Sequence, residues 1–466
     1  FIFQNSFPKK YFYPFLENLH ASIDPWSDWL AQGGRQDSFP YGIPLLIFSL
    51  PISKLDSLIS TLTNGVLNQV MWGASLISID TLVYRALSRA NSDFAARLYL
   101  FSPIVFFVNF YFFQSDAFVG FLLLLSAIFL MENRGKVSGF LFGLASGCKF
   151  GLLLCIPFFA VYLLGNRRLR PLVKNLIAFS FPIVLFSYSP VLWSQGFRKM
   201  VLETDEKGRI FDLYLDVGTL KLYLFPLLYL FILAFLWRFR RSNVLLLLSS
   251  TGLALFVLGI FSTGAIGWNL WGLPLLLLIS KTENRDLSFL LIIIQVMIVL
   301  NKLISGKVLP FAPESTPLVQ LFENLSFTFV IGLSGIWAAA TIRKELIDSD
   351  SLLLNQKPLS LAIAGDSGVG KDSLQKSITE LVGPNVSLSI GGDGYHKFER
   401  GNNRWRTFTH LNPKANNLTE WQRDLDLALK RKKFLLPEYD HATGRFGIRR
   451  IDKGFDLVIS QGLHAL

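Results

Sequence analysis

Residues 361–373 read Leu-Ala-Ile-Ala-Gly-Asp-Ser-Gly-Val-Gly-Lys-Asp-Ser. An apolar, strand-like run leads straight into G-x-x-x-x-G-K. Leu374, Ile378 and Leu381 then recur at helical spacing. Strand, glycine loop, lysine and helix in that order form the context a phosphate-binding loop requires. The glycines let successive backbone N–H groups turn towards phosphate oxygens, and the helix N-terminus adds a favourable field. Gly365, Asp366, Ser367, Gly368, Val369, Gly370, Lys371, Asp372 and Ser373 are therefore the candidate nucleotide-binding residues, with Lys371 reaching the outer phosphates. One position departs from the pattern. The residue after the lysine is normally Ser or Thr, whose hydroxyl binds magnesium, but here it is Asp372, and Ser373 faces differently on the helix.

Working downstream, a second apolar run (386–390) ends in Gly-Gly-Asp393-Gly-Tyr-His396-Lys397-Phe-Glu-Arg400. Leu411-Asn-Pro-Lys-Ala-Asn-Asn417, Pro437-Glu-Tyr439-Asp-His441-Ala-Thr-Gly444 and Leu457-Val-Ile-Ser-Gln461-Gly-Leu-His464 follow. Asp393 would sit at the carboxyl end of a second strand, where open α/β sheets place ligands. Phosphoryl transfer to an alcohol uses a carboxylate near the hydroxyl to accept its proton. In order and spacing, residues 359–466 resemble the phosphoribulokinase/uridine kinase family, and the Tyr-Asp-His-x-Thr-Gly element leans to the phosphoribulokinase side. The resemblance implies an α/β P-loop domain with a parallel sheet that uses ATP and magnesium. It makes Asp393 the base and Lys371 a catalytic contact, with His396, Lys397, Arg400, Tyr439 and His441 on the side of a sugar, sugar phosphate or nucleoside.

Relatives carry Glu where this chain has Gln461, so a metal-side carboxylate has become an amide while Asp372 has gained one. Two readings stay open. Either the acid has moved to the phosphate loop, with Asp372 and Gln461 still serving the metal, or the site has decayed to a weak nucleotide binder. The chain begins at Phe1 and stops at Leu466 just after an apolar run. It is therefore read as a fragment, with later strands and any basic lid beyond its end.

Upstream of 345 the chemistry changes. The 466 residues are 51% hydrophobic and only 17% charged, against roughly 25% charged in soluble domains. This excludes a wholly soluble chain, and 43 Phe and 10 Trp exclude disorder. Cys148 and Cys155 lack metal-ligand spacing. The net charge of +12 is assigned to cytoplasmic loops rather than to nucleic acid. Residues 1–344 are read as a multi-pass α-helical membrane domain, 345–358 as a linker and 359–466 as a cytoplasmic kinase domain, in a plasma or inner membrane.

Basic clusters at Arg85/Arg89/Arg97, Arg134/Lys136, Arg167/Arg168/Arg170, Arg238/Arg240/Arg241, Lys281/Arg285 and Arg343/Lys344 are placed inside. Spans are then expected near 62–84, 97–113, 116–131, 172–193, 218–237, 243–261, 268–280, 286–304 and 318–341. Two short helices are expected over 137–164, meeting at Lys149. The stretch 41–53 is expected to be too short to cross, leaving 1–61 outside. Asp24, Asp28, Asp37, Asp116 and Lys149 then gather at one face, and ionisable groups in such a domain are functional-site candidates.

Asp24-Pro-Trp26, Phe39-Pro-Tyr41, Phe113-Gln-Ser-Asp116 and the glycine-rich approach to Lys149 resemble the multi-pass C-type glycosyltransferases that use polyprenyl-phosphate-linked sugars. That resemblance implies Asp24 or Asp37 as base and Lys149 as a donor-phosphate contact. The functional expectation is ATP-dependent phosphoryl transfer by a membrane-anchored kinase, with a possible second glycosyltransferase activity. Its alternative is a lipid-linked-sugar glycosyltransferase whose C-terminal domain only binds nucleotide. A transporter would place polar groups deep in central spans, and 243–261 and 286–304 offer little besides Gln295.

Overall fold

The computed structural model describes residues 6–19, 23–165, 169–204, 208–238, 244–262, 266–279, 285–305, 316–347, 358–409, 411–451 and 454–465. The chain divides into two compact units, 1–348 and 349–466. Arg167, Arg168, Arg240, Arg241, Lys281 and most of the expected linker 345–358 lie outside the described residues.

The first unit is helical. Five of its described helices are long and apolar enough to cross a membrane: Ile43–Leu62, Pro171–Leu192, Val244–Phe261, Arg285–Ile304 and Pro317–Thr341. The pair Asp93–Leu100 and Pro103–Tyr111, bent by 47°, makes a sixth if it counts as one span. Three sequence expectations change. The stretch 41–53 does not stop short, because its helix runs on through Ser53 and Asp56 to Leu62. Length is therefore no longer a reason to keep it from crossing. Asp56 is buried and accepts hydrogen bonds from the amides of Met71 (2.7 Å) and Trp72 (3.0 Å), capping the next helix. That helix is Val70–Ala90 instead of 62–84. The start of the expected span 218–237 is a two-stranded hairpin, β1 (Tyr214–Val217) with β2 (Leu220–Tyr223), and the helix begins only at Leu224.

Where two short helices were expected, Gly135–Cys148 is followed by a 3₁₀ turn, Phe150–Cys155, and then Ile156–Gly165, with Lys149 extended at the break. Four glycines set this geometry. A Cβ on Gly135, Gly139, Gly143 or Gly147 would come within 2.3–2.9 Å of Leu172, Leu176, Ser180 or Ser187 respectively. The spacing of four puts the glycines on one helix face, so the two backbones pack closely, as small residues permit between apolar helices. Lys149 is delivered at the end of that seam.

The second unit is α/β. Its sheet is parallel in the order β3 (Leu359–Ala364), β7 (Leu457–Gly462), β4 (Ser387–Gly391), with β7 central. Alternation along β7 sorts its side chains to two faces. Leu457 and Ile459 join Ile363 under the helix Lys371–Val382. Val458 joins Leu388, Ile390, Tyr395 and Trp421 on the other face, under the helix Leu418–Leu429. The antiparallel pair β5 (Phe434–Asp440) and β6 (Arg445–Ile451) completes the unit.

Candidate active site

The parallel strands bring three chemistries to one edge. In register, Ile363 and Gly391 both sit beside Gln461. The phosphate loop leaves β3, the Asp393 turn leaves β4, and Gln461 lies between them on β7.

Gly368 (φ +82°) and Gly370 (φ +86°) hold the left-handed conformations that turn the loop into the helix starting at Lys371. Most of the loop is exposed, Asp372 and Ser373 with it. Lys371 donates from Nζ to the carbonyl oxygen of Asp366 at 2.5 Å, so the ammonium rests on its own loop. Gln461 Oε1 is buried and has no hydrogen-bond partner. A buried acceptor without a donor is costly, and a hard oxygen of this kind suits magnesium. Among the described residues no group of three or more His, Cys, Asp or Glu could hold a metal alone.

The second wall is a 3₁₀ turn, Gly392–Tyr395, that carries Asp393. Packing fixes it. Tyr395 stacks on Trp421 (centroids 5.8 Å apart, 15° between planes) and donates to Asp424 Oδ2 at 3.1 Å. A Cβ on Gly392 would meet Trp421 at 2.7 Å, and one on Gly394 would meet the Pro437 carbonyl oxygen at 2.3 Å. The turn is thus wedged between the helix Leu418–Leu429 and β5.

Asp393 is half exposed and faces two imidazoles: His396 Nε2 lies 3.5 Å from Oδ1, and His441 Nε2 lies 3.2 Å from Oδ2. His396 is nearly enclosed (8% exposed) and His441 open (66%). Tyr439 stands edge-on to both rings, at 5.7 and 5.1 Å. His441 projects from a turn held by Asp440, which accepts from the Thr443 hydroxyl (2.7 Å) and the Ala442 amide (2.9 Å). Those bonds hold the Asp440 carboxyl below its ordinary range. The Arg400 stem lies against Gly444, and Lys397 donates to the Lys414 carbonyl at 2.9 Å.

The structure therefore brings Asp393, His396, Tyr439, His441 and Arg400 together. Trp421 and Asp424 are not singled out by the sequence motifs. Trp421 and Asp424 belong to the spacing 421/424/428 of a helix's buried stripe, a signal the sequence does carry.

In the first unit the four candidates separate. Asp116 and Lys149 form a buried ion pair at 2.7 Å, each about 5% exposed or less. Asp116 Oδ1 also accepts from the Trp271 indole at 2.7 Å, and Lys149 lies over the Tyr41 ring at 4.5 Å. Lys149, Tyr41 and Trp271 line a cavity of about 340 Å³ with Phe150, Tyr229 and Trp268. Asp24 instead caps the helix Pro25–Ala31, accepting from Ser27 N (3.2 Å) and Ser194 Oγ (2.6 Å). Burial acts to raise its carboxyl, but those donors bring it below the ordinary value. Asp37 is paired with Arg35 at 2.7 Å, which lowers it likewise. Gln295 accepts from the Ser102 hydroxyl.

Residues 360–466 match the phosphoribulokinase/uridine kinase family. The same region is similar to a phosphoribulokinase of Synechocystis sp., 29% identical over 106 residues, which are 23% of this chain and 32% of that protein. It is also similar to chloroplastic phosphoribulokinases of Triticum aestivum (23% over 128 residues) and Mesembryanthemum crystallinum (22% over 129), each match covering 24% of this chain and 32% of the relative. The chain thus spans about a third of the length of the curated relatives it matches.

Proposed function

We infer, with residues 360–466 taken as a phosphoribulokinase/uridine kinase family domain, that this unit transfers the terminal phosphoryl group of ATP to a hydroxyl of a sugar, sugar phosphate or nucleoside. The observation that carries this reading is the convergence of the phosphate loop and Asp393 on either side of Gln461. The amides of 365–370 bind the polyphosphate, and Lys371 exchanges the Asp366 carbonyl for phosphate oxygens. Asp393 Oδ2, facing the exposed His441, accepts the acceptor's hydroxyl proton once that imidazole is displaced. Arg400 and Lys397, with His396 and Tyr439, hold the acceptor, and a guanidinium fork suits an anionic one. What magnesium supplies when bound is neutralisation of triphosphate charge, with Asp372 and Gln461 Oε1 as the residues that would hold it.

The test is ADP release by the full chain in detergent, with ATP, magnesium and a panel of five- and six-carbon sugar phosphates and nucleosides. Replacing Asp393→Asn is expected to lower kcat by about 10²–10⁴, the usual contribution of a general base. Turnover by Asp393→Asn equal to the natural chain would refute the assignment.

A second reading concerns the first unit, read as a multi-pass membrane domain that takes a sugar from a polyprenyl-phosphate carrier. Lys149, paired with Asp116 and set in the wall of a mostly apolar cavity, favours it. A buried ammonium stabilises a departing phosphate, although Asp116 already neutralises part of its charge. Lys149→Met is expected to abolish retention of a radiolabelled polyprenyl-phosphate sugar. Undiminished retention, with the fold intact by circular dichroism, would remove this reading.

A further inference from the structure

Asp80 serves neither reading above. It lies in the buried stripe Trp72, Leu76, Ile79, Asp80, Val83, Leu87 of the helix Val70–Ala90 and is itself 4% exposed. Both of its hydrogen bonds end on one oxygen. Oδ1 accepts from the Tyr99 hydroxyl and from Asn109 Nδ2, each at 2.8 Å. Oδ2 is buried without a hydrogen-bond partner, and so is Asn109 Oδ1. The two donors come from different arms of the bent pair. Tyr99 belongs to Asp93–Leu100, and Asn109 to the π-helical turn Phe107–Tyr111 within Pro103–Tyr111. The Asp80 carboxyl thus clasps both sides of the 47° bend.

What this carboxyl lacks is a counter-charge. On its own helix Arg85 and Arg89 are exposed and Tyr84 is half-buried. The elements packed against that helix bring Lys54, Asp56, Asp93, Arg97, Tyr99, Tyr111 and Asp116. Of these, Lys54, Asp93 and Arg97 are exposed. Asp56 is taken up by the Tyr13 hydroxyl and the amides of Met71 and Trp72, and Asp116 by Lys149 and Trp271. Among the described residues no lysine, arginine or histidine bonds to Asp80. An ionised carboxylate buried with one bare oxygen is costly. A hard metal cation relieves that cost only with a shell of roughly six oxygens, and the bare side-chain oxygens of this cluster are Asp80 Oδ2 and Asn109 Oδ1. A proton needs one. We propose that Asp80 is a proton-binding site: with a proton from solvent on Oδ2 it is a neutral acid that joins the two arms of the bend. The folded chain then holds a proton that the unfolded chain gives up, so stability falls as pH rises. The proposal rests on neither functional reading and survives the failure of either.

Infrared spectra of the full chain in detergent read the proton directly. At pH ~5.5, where exposed carboxyls with values of about 4 are ionised, the natural chain should show the carbonyl band of an un-ionised carboxylic acid. Asp80→Asn should lose that band. Tyr99→Phe removes a donor to the carbonyl oxygen and should move the band to higher frequency, which identifies it as Asp80 even if Asp80→Asn does not fold. The unfolding midpoint of the natural chain should fall by several degrees more than that of Asp80→Asn as pH is raised, because the amide keeps the shape of the neutral acid and cannot ionise. Spectra of the natural chain without an acid band at that pH overturn the proposal, as does a band that neither variant alters. A midpoint that rises with added sodium chloride and not with acid would make this a metal-cation site and overturns it as well.

Discussion

The two walls of the kinase-like site are built differently. The wall carrying Asp393 leans on the helix Leu418–Leu429, which buries Trp421, Asp424 and Ala428, while the glycine-loop wall leads into the helix Lys371–Val382, which only half-buries Ile378 and Val382 against the sheet. One wall holds the turn of Asp393 by aromatic stacking and a hydrogen bond to a buried acid. The other holds its loop by two left-handed glycines and a lysine folded onto its own backbone. Side-chain packing is thus concentrated at the Asp393 turn, while the glycine loop is exposed and shaped by its own backbone.

The largest effect that could break this contrast is Trp421→Ala. The indole supports the ring of Tyr395 and fills the space beside Gly392 and Gly462. Removing a buried aromatic of this size costs about 3–5 kcal/mol. Chemical denaturation of the full chain, followed by fluorescence of residues in the second unit, should show that loss. A cost under about 1 kcal/mol would mean that packing does not hold the acceptor wall.

The same contrast explains what can be read from sequence alone. The phosphate loop is local: its glycines, lysine and flanking periodicities lie within a short stretch, so strand, loop and helix are all legible. The parallel order β3-β7-β4 and the placing of Gly391, two residues before Asp393, beside Gln461 depend on pairing between strands far apart in the chain, and only the likeness of motifs points to them. In the first unit, the break at Lys149 is marked by glycine spacing and a lone charge. The helix from Ile43 runs past Lys54 and Asp56, two charges that read in the sequence as its end. Asp56 is in fact buried as the cap of the helix Val70–Ala90, a tertiary use of a charge that hydropathy reads as solvent. Asp24 and Asp37 resemble candidate bases for the converse reason, since nothing in the sequence reveals that Ser194 and Arg35 already occupy them.

The smaller effect sharpens the contrast from the other side. Gly370 has φ +86°, and nothing lies within 4 Å of the place a methyl group would take. Gly370→Ala therefore meets no steric neighbour and suffers only the backbone strain of a left-handed alanine. That strain is about 1–2 kcal/mol. Because the loop is exposed and the helix behind it is only half-buried, the strain can be relieved locally by relaxing the turn. The unfolding midpoint should therefore move little, while affinity for ATP falls by about ten-fold or less per 1.4 kcal/mol of strain retained in the bound loop. Isothermal titration with ATP and magnesium, set beside the denaturation curve, separates the two quantities. If Gly370→Ala lowers global stability by the full strain and leaves affinity unchanged, the phosphate loop is as rigid before binding as the acceptor turn, and the contrast between the two walls disappears.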